Sequence, residues 1–108
     1  MKKIVLIDDD LLIHKMWVSE AQNHNTIIDC YQTPIEFINN QSKYPKDICI
    51  LIDSNLNLDL KGEQYAKEIY DLGFSNIHLT TAYSQIEIEK YPWLKSIIDK
   101  RPSIKNIK

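Results

Sequence analysis

The 108 residues are enough for one domain with one core, because a chain of this size buries roughly two-thirds of its unfolded surface. Hydrophobic residues make up 44% and charged residues 26%, which excludes a disordered or fibrous chain. The net charge of −2 gives no basic footprint for nucleic acid, and the longest apolar run, Ile48 to Ile52, is far too short to span a bilayer.

Five short apolar runs alternate with helical stretches. Ile4 to Ile7 comes first and runs into Asp8, Asp9 and Asp10; the apolar residues after Met1-Lys2-Lys3 are too few for a signal peptide. A helix is expected from about Leu11 to Asn23, with Asp10 as its cap. Ile27 to Tyr31 is less apolar, as an edge strand is. Thr33 to Glu36 opens a second helix. There Thr33 caps, Pro34 suits the first helical position and Glu36 completes a capping box. Ile48 to Ile52 is wholly apolar and ends on Asp53. After a polar loop, a helix from Gly62 to about Leu72 is stopped by Gly73. Ile77 to Thr81 is the fourth run, followed by the small Ala82. Ser84 to Glu87 is a capping box that opens a short fourth helix of about two turns, broken at Tyr91-Pro92-Trp93. Ile97-Ile98 is the fifth run and leads to Lys100. This alternation implies a single α/β domain over residues 1–108, with parallel strands, right-handed crossovers and helices on both faces.

In an open α/β sheet, sites form outside the carboxyl ends of the strands. Polar residues collect at those ends here: Asp8, Asp9 and Asp10 after strand one, Asp53 after strand three, Thr81 after strand four and Lys100 after strand five. If strands one and three are neighbours, three carboxylates converge, and such a cluster either raises a pKa or binds a cation. All the evident ligands are oxygens, which selects a hard ion; Mg²⁺ takes one or two carboxylates, waters and a phosphate oxygen. A carboxylate can act as nucleophile and become an acyl phosphate. Adjacent strand residues face oppositely, so only one of Thr80 and Thr81 can face the site; Thr81, preceding Ala82, is preferred. Lys100 is the expected cation, with Arg101 as the alternative. Cys30 and Cys49 share no metal spacing and read as small buried hydrophobes in a reducing, cytoplasmic setting. His14 and His24 read as surface positions and His78 as a satisfied strand residue. Trp17, Tyr91 and Trp93 read as packing or interface residues.

From Ile4 to about Pro102 the chain resembles the receiver domains of two-component response regulators, the CheY-like family. Ile4 to Asp10 is similar to that family's acidic-pair strand and Ile50 to Leu56 to its phosphoacceptor segment. Leu79 to Ala82 resembles its hydroxyl and small-residue turn, and Asp99 to Pro102 its lysine closely followed by proline. The resemblance implies a flavodoxin-like doubly wound sheet of five parallel strands in the order 2-1-3-4-5. It implies Asp53 as phosphoacceptor, with Mg²⁺ held by Asp8, Asp9, Asp53 and the backbone carbonyl of Asn55. Thr81 would contact the phosphoryl group and Lys100 pair with its oxygens. The donor would be a histidine kinase or histidine phosphotransfer protein, and the signal would leave through a partner protein. Such a protein catalyses only its own phosphorylation and dephosphorylation.

The chain departs from the family pattern at several places. Asn57 stands where the family commonly has Pro, and Gly62 lies one position later than usual. Ile97 stands where most members carry an aromatic switch residue. The residues after Lys100, with Pro102 among them, are too few for the family's last helix, which is expected to be missing or truncated. The apolar surface this would uncover on the first helix and the sheet suggests a partner or homodimer surface. Two other readings compete: a pseudo-receiver that only binds partners, and a small aspartyl-phosphate phosphohydrolase. The hydrolase would want a second Asp where Asn55 stands.

Overall fold

The computed structural model describes residues 2–56, 59, 61–82 and 87–100. β1 (Lys2–Ile7), β2 (Thr26–Tyr31), β3 (Cys49–Asp53), β4 (Ile77–Thr81) and β5 (Ser96–Asp99) form one sheet. Its order is β2-β1-β3-β4-β5, and every pairing is parallel. This is the order expected from the resemblance. Between the strands lie α1 (Leu11–Gln22), α2 (Pro34–Asn39), α3 (Gly62–Asp71) and two 3-10 turns, Gln41–Lys43 and Ile88–Lys90. Among the described residues, no helix is long and apolar enough to cross a membrane.

Strand periodicity divides the core in two. Val5 and Ile7 of β1, with Ile50 and Ile52 of β3, face a core completed by Phe37 of α2 and Ile69 of α3. Ile4, Leu6, Cys49 and Leu51 point the other way, against Trp17 and Ala21 of α1. Successive side chains of a strand alternate between faces, so a continuous apolar run in a central strand serves both cores. The helix starts follow their caps. The Asp10 carboxylate accepts from the Leu12 amide at 2.9 Å, and the Thr33 hydroxyl accepts from the Glu36 amide at 3.2 Å. Gly73, at φ 108, ends α3 in a conformation that side chains avoid.

The fourth helix is where the sequence reading fails. Residues 88–90, expected in a helix, form a single 3-10 turn closed by the Tyr91 amide on the Ile88 carbonyl. Pro92 drives Tyr91 out of the helical region, and the segment is too short to repay helix nucleation. The expected helix start at Ser84, and the missing or truncated last helix, fall on residues 83–86 and 101–108, outside the described residues. α1 does leave Leu11, Leu12 and Met16 exposed, whereas Leu6 and Leu51 on the sheet face beside it are fully buried.

Both cysteines are free, and burial pushes each thiol up to about 11, with Asp29 and Asp8 adding to the shift at Cys30. Neither is a reactive thiolate at neutral pH. His78 is the satisfied strand residue expected: it bonds Ser96 Oγ at 2.6 Å and Asn76 Oδ1 at 2.7 Å. Burial, then the charges of Lys95 and Lys2, lower its pKa. Its contribution to stability is therefore complete above the unfolded value near 6.5 and lost as pH falls through the lower folded value. In urea melts between about pH 7.5 and 5, His78→Gln is expected to flatten the loss, by no more than ~1.4 kcal/mol per pH unit. Parallel pH profiles for the two proteins would refute this.

Candidate functional site

The site begins with the register of the two central strands. Ile7 lies beside Ile52, so the residues that follow, Asp8 and Asp53, emerge at the same edge of the sheet. Carboxylate oxygens of Asp8, Asp9 and Asp53 all lie within 4.8 Å of one another. Asp8 and Asp53 are 0% and 1% exposed, and Asp9 is half-buried. Lys100, one residue beyond β5, reaches across: its Nζ is 3.1 Å from Asp53 Oδ2 and 4.0 Å from Asp8 Oδ2. The sheet thus gathers residues from β1, β3 and β5 that are far apart in the chain.

The electrostatics follow from burial and crowding. Burial pushes the Asp8 carboxyl up to about 6; a bond from the Asp10 amide opposes it, and the charges of Asp53 and Asp9 add to it. Burial also raises Asp53, against the pull of Lys100 and the Asn55 amide. At Lys100 burial acts downward, but the hydrogen bond to Asp53 and the charges of Asp53, Asp8 and Asp9 outweigh it, and its pKa ends above the ordinary value. Three carboxylates against one ammonium carry a net charge of −2, which one divalent cation balances. Asp53 Oδ1 and Asp8 Oδ2 are buried without a hydrogen-bond partner, and the Lys100 contact to Asp8 is too long to be one. Hard carboxylate oxygens without donors are ligands of the Mg²⁺ type, so the residues present fit that ion.

The remaining residues are placed as follows. Thr81 is buried and closes β4 beside Asp99 of β5, while Thr80 lies beside Asp53. The Thr80 hydroxyl is buried without a partner. Asn55 directs its backbone N–H at the Asp53 carboxylate. Arg101 and Asn57 lie outside the described residues. Gly62, despite its later position, packs on Asp53: a Cβ there would sit 1.8 Å from the Asp53 carbonyl oxygen.

Two features escaped the sequence reading. His14 is no mere surface residue, because its Nε2 donates to the Asp8 carbonyl at 2.5 Å. Its place one helical turn after Asp10 was the available signal, since helix side chains lean toward the N-terminus. Ser54 Oγ donates to Glu63 Oε1 at 2.8 Å, and Trp93 Nε1 donates to the Glu63 carbonyl at 2.8 Å. No spacing rule foretells a contact across 30 residues.

The sequence matches no protein-family model and no curated protein. Solved structures do match. The response regulator receiver domain (CheY-like) of Methylobacillus flagellatus superposes with a TM-score of 0.80 over 100% of this chain and 93% of that one, at 13% identity. A response regulator protein of Thermotoga maritima, in complex with Mg(2+)-BeF, gives 0.77 over 92% and 86%, at 24% identity. A response regulator protein of Burkholderia pseudomallei, with a phosphorylated aspartic acid, calcium ion and citrate, gives 0.79 over 99% of this chain and 64% of that one, at 16% identity. The chain has the CheY-like receiver fold; likeness at these identities establishes the architecture alone.

Two outcomes are expected from the crowding. The raised Asp8 contributes stability that is complete below about pH 4 and lost as pH rises through about 6. In metal-free buffer near pH 7.5, Asp8→Asn is expected to raise Tm, by about 1 kcal/mol of added stability, and to weaken Mg²⁺ binding in the same preparation. An unchanged or lower Tm would contradict the charge-crowding account. Gly62→Ala is expected to cost about 1–3 kcal/mol through overpacking, read as a lower denaturation midpoint.

Proposed function

We propose that this chain is a phosphorylation-dependent switch in two-component signalling, accepting a phosphoryl group on Asp53. The observation that carries the reading is the Asp53 carboxylate itself. One oxygen is held by Lys100 at 3.1 Å, and the other is buried, bare and within reach of two further carboxylates. Two of the similar structures, one in complex with Mg(2+)-BeF and one with a phosphorylated aspartic acid, support the same chemistry here.

In this reading Asp8, Asp9, Asp53 and the Asn55 carbonyl hold Mg²⁺, which supplies charge neutralisation for the incoming phosphate. A carboxylate oxygen of Asp53 attacks the phosphorus of a phosphohistidine on a histidine kinase or phosphotransfer protein. The P–N bond breaks, its electron pair stays on the imidazole, and an acyl phosphate remains on Asp53. Lys100 pairs with a phosphoryl oxygen, and the Thr81 hydroxyl donates to another. Water later cleaves the acyl phosphate and restores the carboxylate. Asn55 cannot serve as a general acid, which favours a persistent signal over a hydrolase. The exposed Leu11, Leu12 and Met16 of α1 offer an apolar surface for a protein partner or for homodimerisation.

With a small acyl-phosphate donor and Mg²⁺, intact mass is expected to show one added phosphoryl group, labile to base, slow to decay and lost in Asp53→Asn. Rapid multiple turnover would replace the switch by a phosphohydrolase. No adduct and no Mg²⁺ binding would leave a pseudo-receiver that acts only through partners.

A further inference from the structure

Ser54, the residue after Asp53, is fastened on three sides. Its amide donates to the Thr80 carbonyl at 3.0 Å, and its carbonyl accepts from the Gly62 amide at 2.9 Å. Its hydroxyl donates to Glu63 Oε1 at 2.8 Å. Glu63 is a buried carboxyl that the phosphoryl-transfer chemistry above does not use. Its backbone carbonyl accepts from the Trp93 indole at 2.8 Å. Trp93 stands just before β5, half-buried against the core below α3 and edge-on to Tyr91 at 5.7 Å. The Lys67 ammonium of α3 lies 5.8 Å from its ring centre. The side chain of Ile97, at the position where the resemblance leads one to expect an aromatic, can neither donate nor accept a hydrogen bond.

We propose that Ser54, Glu63 and Trp93 carry the state of Asp53 to the segment preceding β5, with Trp93 taking the reporting role that Ile97 cannot. The inference rests on Asp53 being the acceptor. A new group on Asp53 changes the charge and space around its carboxylate, and Ser54 is the first residue obliged to respond. The Ser54–Glu63 bond joins that movement to the N-terminus of α3, where Gly62 has no side chain and packs directly on Asp53. The Trp93 indole is fixed to the same turn, so a shift of α3's start moves the ring or breaks its bond. Coupling of this kind needs contiguous contacts with two arrangements, and this chain of bonds supplies the contacts.

The test uses the whole protein labelled with 5-fluorotryptophan, with the two ring resonances assigned by Trp93→Phe. Mg²⁺ is added first, then Mg²⁺ with beryllofluoride; one ¹⁹F spectrum reads bound beryllofluoride and both rings. The expected result is a bound fluoride signal with a displaced Trp93 resonance. Ser54→Ala is expected to keep the bound signal and lose most of the Trp93 displacement. Glu63→Gln, which retains an acceptor oxygen, is expected to keep both. Bound beryllofluoride with an unmoved Trp93 resonance would overturn the inference and leave the acceptor reading intact. So would a full displacement surviving Ser54→Ala, which would be a field effect through space. Absence of any bound signal in the parent protein would remove the acceptor reading and the inference with it.

Discussion

Three carboxylates held against a single ammonium, at the edge where β1 and β3 end, are the constraint on which the rest of the structure depends. At separations within 4.8 Å, each like-charged pair costs about 3.5 kcal/mol or more at an effective dielectric near 20. Lys100 offsets only part of this. The residues leading into the cluster, Leu6 and Ile7 of β1 and Leu51 and Ile52 of β3, are all fully enclosed. Burial of each such side chain contributes roughly 1.5–3 kcal/mol, enough for the sheet to hold a charge arrangement that would otherwise spring apart. The net negative charge that remains is of the size one divalent cation balances.

The same edge is built to be rigid beneath and adjustable around its rim. Parallel pairing fixes where each strand ends, and so fixes the carboxylates. The connections that follow are anchored by few, specific bonds: Asp10 capping α1, His14 on the Asp8 carbonyl, Gly62 against the Asp53 carbonyl, Glu63 between Ser54 and Trp93. Each fastens a rim element to an acidic residue of this edge or to the residue after it.

Much of this was legible in the chain. Continuous apolar runs ending on aspartate located β1 and β3, and capping residues located the starts of α1 and α2, because both signals are local. The acidic pair, Asp53 and Lys100 were legible as a set because one fold places all strand ends together. Residues 88–90 misled: they form a 3-10 turn and not the expected helix, because Pro92 turns Tyr91 out of the helical region. His14 misled for a different reason: exposure was inferred from its polarity, while its orientation along α1 turned it back onto Asp8.

By itself the sequence determined the alternation of strands and helices and the kinds of chemistry at each strand end, since periodicity, caps and residue type act over a few neighbours. Tertiary structure alone decided the rest. It set Lys100 at 3.1 Å from Asp53 and 4.0 Å from Asp8. It left one oxygen of each aspartate bare, and it joined Ser54, Glu63 and Trp93 into one chain of bonds. Distances across the sheet depend on register and packing among residues remote in sequence, and burial, which sets the charge balance of the site, is a property of the assembled fold.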